Sequence, residues 1–173
     1  IPAKASLACL NGTETPWDAI GEKVGRDLCA VLFTNGAIAD KFLVKPGHYK
    51  VTVSRGPEYE VFEDVDVEVK AGDTVWIEPK IQRSVDTAGW ISTDLHQHTL
   101  GSLDAPVSPW DRIIENLAEG VEAPARTEHD MLLSYTPTIQ SMKMTGAILG
   151  IDGDEVSVNG VGHFNLFGAQ GVL

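Results

Sequence analysis

The sequence predicts an all-β sandwich domain over residues 1–85 and an α/β segment over residues 86–173. In the first part, short stretches of alternating apolar and polar residues are separated by turns about every 8–12 residues, as in antiparallel sandwiches. In the second part, predicted strands alternate with predicted helices, which is typical of βα units around a parallel sheet. The character of the chain changes near residues 84–88, and we place the domain boundary there.

The strands of the first part follow from period-two alternation and from the turns that end it. The apolar run 30–33 stops at an Asn-Gly turn, where turn residues end a strand. Residues 49–53 alternate apolar and polar side chains, as do residues 61–69. After a further turn the pattern continues over residues 75–81. We therefore expect half-buried strands with an acidic, solvated outer face.

In the second part, a helix is predicted from Ser108 to Gly120. A Ser N-cap followed by Pro and by an acid in the first turn begins a helix, and Gly ends one. Residues 121–126 are predicted as a short strand, residues 136–144 as a second helix and residues 147–151 as an apolar strand.

The charge of the chain excludes one class of partner. It has 25 acidic and 13 basic residues, for a formal charge of −12, so a nucleic-acid backbone would be repelled. No apolar run approaches the roughly 18–20 residues that span a bilayer, so no membrane contact is expected. The chain begins at Ile1-Pro2, without an initiator Met or the apolar core of a signal peptide. We therefore expect a soluble chain that is processed or cut at its start.

Two cysteines, Cys9 and Cys29, are too few for a disulfide framework and lack metal-site spacing. The sequence leaves open whether they are buried thiols or one bridge. A bridge would indicate an oxidising compartment. The compartment is thus unknown, with a lean towards the periplasm or secretion.

Four of the five histidines lie between residues 96 and 163. An apolar run that begins at Trp90 leads into His96-Gln97-His98. At the end of a strand, the period of two places both imidazoles on one face, where they can share a metal ion. Imidazole suits Zn²⁺, Fe²⁺ and Mn²⁺, and Asp104 lies within reach as a carboxylate ligand.

Further ionisable residues follow the later predicted strands, at residues 128–130 and at Glu155. Because the carboxyl ends of parallel strands meet at one edge of a sheet, these clusters are expected to converge. Taken alone, His163 fits a packed core histidine, but its order after the other clusters favours metal ligation. Asp152 and Asp154 are ordinary turn residues beside a glycine and are not assigned to the site.

A longer set of residues resembles a known family. Residues 89–99, Ser102-x-Asp104, residues 118–121 and residues 127–130 are similar to motifs of the polymerase-and-histidinol-phosphatase (PHP) superfamily. The nearest branch is the CehA/McbA-type metallohydrolases, in which a β-sandwich often precedes the hydrolase domain. Residues 153–156 and 162–165 resemble the next two ligand motifs of that family.

This resemblance implies a distorted (β/α)7 barrel in which two or three divalent ions, Zn, Mn or Fe, activate water against a phosphoester or another ester. Glu128 stands where the family usually has Asp before its motif-two histidine. Six residues take the ligand positions: His96 and His98 on one ion, Glu155 between two, His163 on the second, and Asp104 with His129 on a third.

The length of the second part predicts a truncated barrel. From Thr93 onward there is room for about three βα units of roughly 30 residues, whereas such a barrel needs at least about 200 residues. We therefore expect an N-terminal fragment of a larger enzyme. A half barrel exposes an unpaired strand edge and an apolar face, which predicts association between copies through residues 145–173. Light scattering from a strictly monomeric chain at high concentration would contradict this.

Three candidate functions follow. The first is a metal-dependent phosphoesterase, favoured by the His/Asp/Glu set. The second is a hydrolase of carboxyl or carbamate esters, which the branch resemblance favours. In both, the partner is a small-molecule substrate. The third is a catalytically incomplete binding or structural module, because an incomplete ligand set binds metal weakly.

Overall fold

A computed structural model of the chain describes residues 1–14, 28–36 and 41–168. The chain divides into two compact units, Ile1–Asp86 and Thr87–Leu173. The domain boundary expected from the sequence, between residues 85 and 86, falls beside this division.

Among its described residues, the N-terminal unit contains one antiparallel sheet. Its strands are β1 (Ala3–Leu10), β2 (Leu28–Thr34), β3 (Gly47–Ser54) and β4 (Phe62–Val69), in the order β2-β1-β3-β4. Alternation buries one face, so that Tyr49, Val51 and Val53 of β3 are each 5% exposed or less. Leu7 of β1 pairs with Val51 and belongs to the same core.

The predicted sandwich of two sheets is wrong for the described residues, which form a single sheet in this unit. Residues 75–81, expected to continue the strand pattern, contain no strand. Ile77 and Ile81 instead pack, partly buried, against the core of the sheet. Pro79 lies between them and has no N–H for a ladder. The alternation in this stretch therefore reflects side-chain burial without backbone pairing.

A disulfide joins Cys9 of β1 to Cys29 of β2, with the two Cα atoms 5.7 Å apart. The two strands are antiparallel neighbours, and this separation is usual for a bridge. Of the two alternatives that the sequence left open, the structure has the bridge.

The C-terminal unit contains two helices and a three-stranded sheet among its described residues. The prediction of an N-cap at Ser108 is confirmed, since its hydroxyl accepts the N–H of Asp111 at 3.0 Å. Neither helix has the length and apolar character needed to cross a bilayer. The elements are α1 (Pro109–Ala118), β5 (Ala125–Arg126), α2 (Thr136–Ser141), β6 (Ile151–Val158) and β7 (Gly162–Phe167). Their core consists of Ile113, Leu117, Tyr135, Ile139 and Ile148.

The truncated (β/α)7 barrel expected from the resemblance is wrong, because of the strand directions. β5 and β6 are parallel, but β6 and β7 are antiparallel. A parallel sheet needs a crossover of about a dozen or more residues between strands, whereas only residues 159–161 separate β6 from β7. Gly160 has a φ of +78°, which suits a tight Asn-Gly hairpin turn. The chain therefore turns straight back where the barrel requires a helix.

His96 and His98, expected at the end of a strand after the apolar run that begins at Trp90, follow no strand, yet this segment runs alongside β5. The N–H of Ala125 donates to the carbonyl of Asp94 at 2.8 Å, and the N–H of Thr127 donates to the carbonyl of Gln97 at 2.9 Å. A single parallel bridge joins Gln97 to residue 126. The segment is thus extended and aligned with β5 without forming a continuous ladder.

Two other predicted elements have different bounds in the structure. The helix expected over residues 136–144 ends at Ser141, and the strand expected over residues 147–151 begins only at Ile151. Ile148, in the apolar run before β6, is 5% exposed and joins the helical core. Its apolar character therefore marks packing rather than strand pairing. The outer edge of β7 pairs with no other described strand, so association of copies there stays a prediction.

Candidate metal centre

Separate backbone stretches bring the predicted ligands to one side of the three-stranded sheet. The extended segment with His96 and His98 runs beside β5, and His129 follows β5 in the chain. An isolated parallel bridge joins His129 to Glu155 of β6. On β7, His163 lies two residues before the residue paired with Glu155. Because side chains two residues apart on a strand share a face, His163 lies on the same face as Glu155.

Glu155 is the centre of this group, with a side chain only 6% exposed. Its Oε2 lies 2.9 Å from Nε2 of His98 and 3.1 Å from Nε2 of His96. The same oxygen lies 3.4 Å from Nδ1 of His129. Its Oε1 lies 2.8 Å from Nδ1 of His163. The two carboxylate oxygens thus face different imidazoles, as a carboxylate between two ions would.

Asp104 contacts the other side of the imidazole row. Its Oδ2 lies 3.2 Å from Nε2 of His129, and its Oδ1 lies 3.6 Å from Nδ1 of His98. The rings lie in a row and are tilted to one another, with centroids 4.9 Å apart for His96 and His98, and 4.7 Å apart for His98 and His129. The centroids of His129 and His163 are 5.0 Å apart.

All six residues assigned as ligands from the sequence come together. They form three overlapping groups in which the donor atoms lie within 4.8 Å of one another. Glu155, His98 and His129 each belong to two of the groups. The groups are His96, His98 and Glu155; His98, Asp104 and His129; and His129, Glu155 and His163.

Both carboxylates of the cluster favour the ionised form. Burial opposes ionisation of Glu155, but hydrogen bonds with His96 and His163 outweigh it, so its pKa is lowered. Partial desolvation also opposes ionisation of Asp104, and its contact with His129 outweighs that effect and lowers its pKa. Metal ligands must be deprotonated, and both groups meet that requirement at neutral pH.

Glu128 lies beneath the cluster, and the structure gives it a supporting role. Its side chain is fully buried and accepts hydrogen bonds from the N–H and hydroxyl of Thr99. The Ser102 hydroxyl and Nε of Arg126 also donate to it, at 2.7 and 2.9 Å. Burial opposes ionisation, but these hydrogen bonds outweigh it and lower the pKa of Glu128 to about 2. A methyl group at Gly101 would lie 2.8 Å from the carboxyl carbon of Glu128, so position 101 has no room for a side chain.

Ser102 determines which nitrogen of His98 carries its proton. Its one hydroxyl proton goes to Glu128, because an ionised carboxylate only accepts. The hydroxyl oxygen then accepts the N–H of His129 at 3.0 Å and Nδ1–H of His98 at 3.1 Å. In neutral His98 the lone pair therefore lies on Nε2, which faces the Glu155 carboxylate at 2.9 Å. Two acceptors in contact need a positive charge between them, which either a metal ion or a proton on Nε2 of His98 would supply.

The donor set fits a divalent cation. A positive charge beside Oε2 of Glu155 would also be in reach of the Nε2 atoms of His96 and His98. Those two nitrogens lie 2.9 Å apart. Several imidazoles around a carboxylate form the ligand chemistry of Zn²⁺, Fe²⁺ and Mn²⁺. The second nitrogen of His129 is also engaged, with Ser157 Oγ 3.1 Å from its Nδ1. Such outer partners orient ligating histidines.

The sequence did not reveal the supporting hydroxyls. Ser102 stands in the string that carries the resemblance, but nothing in its spacing shows that it connects Glu128, His98 and His129. Ser157 lies two residues after Glu155 on β6, so the period of two along a strand predicts that both side chains lie on the same face. Asp154, left out of the site, has the opposite parity from Glu155 and lies on the other face of the strand.

No family model, curated protein or solved structure matches this chain. The PHP resemblance therefore stays a prediction from the residues quoted for it.

Proposed function

We propose that this cluster is the metal centre of a PHP-type hydrolase that cleaves a small-molecule phosphoester. The observation that carries the proposal is the contact between His98 Nε2 and Glu155 Oε2 at 2.9 Å. Since Ser102 holds the proton of neutral His98 on Nδ1, both atoms present lone pairs. A cation between them would resolve the contact, and the further imidazoles and carboxylates grouped around it favour a metal ion over a proton.

Each group of donors has a separate part in the proposal. His96 and His98 would hold one ion, Glu155 and His163 would hold a second, and Asp104 with His129 would hold a third. Bound divalent ions would lower the pKa of water and neutralise charge on a substrate oxygen. The protein residues keep Glu155 ionised, orient the imidazoles through Ser102 and exclude water from beneath the cluster through Glu128.

The outer side of the cluster is open to substrate. The side chains of His96 and His163 are 50% and 53% exposed, and that of Asp104 is 57% exposed. Glu155, in contrast, is 6% exposed. The ligands therefore form a shallow site with a buried floor, which a small ester can approach from solvent.

Two observations favour a carboxyl or carbamate ester as the second candidate substrate. The chain carries a formal charge of −12, and a field of that sign repels a phosphoester anion more than a neutral ester. Leu100 and Leu103, on the same loop as Asp104, are exposed. Exposed apolar residues beside the ligands suit an ester with an apolar group.

The metal content of the purified chain tests the proposal. We expect at least one Zn, Mn or Fe ion per chain by plasma mass spectrometry, and loss of that metal in His96→Ala/His98→Ala. His48→Ala is the matched control, because His48 lies on β3 of the N-terminal unit and should leave the metal content unchanged. A chain without metal after incubation with each ion would refute the proposal.

The metal-loaded chain would then be assayed with an aryl phosphate and an aryl acetate. Faster hydrolysis of the phosphate is the expected result, and faster hydrolysis of the acetate favours the second candidate. A chain that binds metal and cleaves neither would favour the third, a binding or structural module.

A further inference from the structure

Asn165 of β7 lies directly opposite Glu155 of β6 in the antiparallel ladder. Residues paired across two strands lie on the same face of the sheet. Asn165 is also two residues from His163, whose Nδ1 contacts Glu155 Oε1 at 2.8 Å. It therefore lies on the same face as the ligand cluster, at the end formed by Glu155 and His163.

The side-chain oxygen of Asn165 has no partner. Its Oδ1 is buried, and no donor among the described residues reaches it. Buried acceptors without a partner are rare in folded proteins, and each one calls for a donor or an ion. Nδ1 of His163, two residues away on the same face, already contacts Glu155. No described residue satisfies this oxygen, so a bound ion is a candidate partner for it.

We propose that Asn165 is a further metal ligand, and that its Oδ1 binds the divalent cation held by Glu155 and His163. This inference rests on the proposed function. An amide oxygen would bring a third donor to an ion that has one imidazole and one carboxylate. It is a neutral, hard ligand, so it strengthens binding of Mn²⁺ more than binding of Zn²⁺.

Calorimetric titration of the metal-free full chain with Mn²⁺ and with Zn²⁺ tests this assignment. In Asn165→Ala we expect Mn²⁺ to bind about tenfold more weakly at this end of the cluster, with a smaller loss for Zn²⁺. Asn165→Asp keeps an oxygen donor and adds charge, so it should bind Mn²⁺ at least as tightly as the parent chain. Asn159→Ala is the matched control, because Asn159 lies exposed in the turn of the same hairpin.

The outcomes separate this inference from the proposed function. If the parent chain binds neither metal, both are refuted. If it binds metal and Asn165→Ala binds Mn²⁺ within twofold of it, only the role of Asn165 is refuted. Near-ultraviolet circular dichroism reports whether each variant folds. If Asn165→Ala does not fold, Asn165→Asp decides, since Mn²⁺ affinity lower than that of the parent would contradict an oxygen ligand at this position.

Discussion

Replacing Glu128 with Gln tests the network that supports the imidazoles. The carboxylate is fully buried and receives hydrogen bonds from Thr99, Ser102 and Arg126. Gln has nearly the same shape, but its NH₂ group is a donor and would face the other donors around this position. The substitution also removes the negative charge that pairs with Arg126. We therefore expect Glu128→Gln to fold with a markedly lower free energy of unfolding.

The magnitude follows from the proton affinity of the carboxylate. Its pKa falls from 4.5 to about 2 in the folded chain, and each tenfold change in proton affinity corresponds to about 1.4 kcal/mol. The ionised form thus contributes about 3 kcal/mol to stability at neutral pH. Because the folded pKa is depressed, this contribution is complete above pH 4.5 and is lost as the pH falls from there to about 2.

Urea unfolding of the metal-free chain at pH 7 and at pH 3, with EDTA present, measures the effect. At pH 7 the variant should be about 3 kcal/mol less stable than the parent, and more than half of that difference should disappear at pH 3. Glu119→Gln, at the C-cap of α1, is a control in the same unit and should change stability by less than about 0.5 kcal/mol. A difference below about 1 kcal/mol, or one equal at both pH values, would refute the reasoning.

Two further predictions concern the sheets. Gly153→Ala should lower the free energy of unfolding by about 1–3 kcal/mol, because its methyl group would lie 2.8–3.0 Å from a threonine methyl and two carbonyl oxygens; a urea midpoint equal to that of the parent would contradict this. Cys9→Ser/Cys29→Ser should cost about 3 kcal/mol, because the bridge closes a loop between residues 20 positions apart. Dithiothreitol should bring the parent to the stability of this variant and leave the variant unchanged, whereas a parent insensitive to reductant would argue against the bridge.

Residue type and spacing predicted that the six proposed ligand residues come together, and they do, but the reason expected for it is only partly right. His96 and His98 share one side because their segment is extended along β5, even though it forms no continuous strand. Glu155 and His163 were expected to meet at the ends of successive parallel strands. They meet instead across the β6–β7 hairpin, in which Ser157 pairs with His163.

Two errors in the fold arise because apolar periodicity reports burial but not pairing partners. Ile77 and Ile148 have the apolar pattern of strands, yet both pack against a core from segments without strand structure. The short turn after β6 contains Asn159 and Gly160, a dipeptide that favours a hairpin. That local signal, present in the sequence, was outweighed by the expectation of a barrel.

By itself the sequence determined the chemistry available to this protein: its imidazoles and carboxylates, their period-two spacing at His96 and His98, the Ser108 cap and the acidic charge. These properties depend on residue types and on neighbours close in the chain, so local rules are sufficient for them. Only the tertiary structure decided that the β6–β7 hairpin brings His163 to Glu155, that Cys9 is bonded to Cys29 and that the Oδ1 of Asn165 is buried without a partner. Those outcomes depend on contacts between segments far apart in sequence, which strand order and direction establish and which no local pattern encodes.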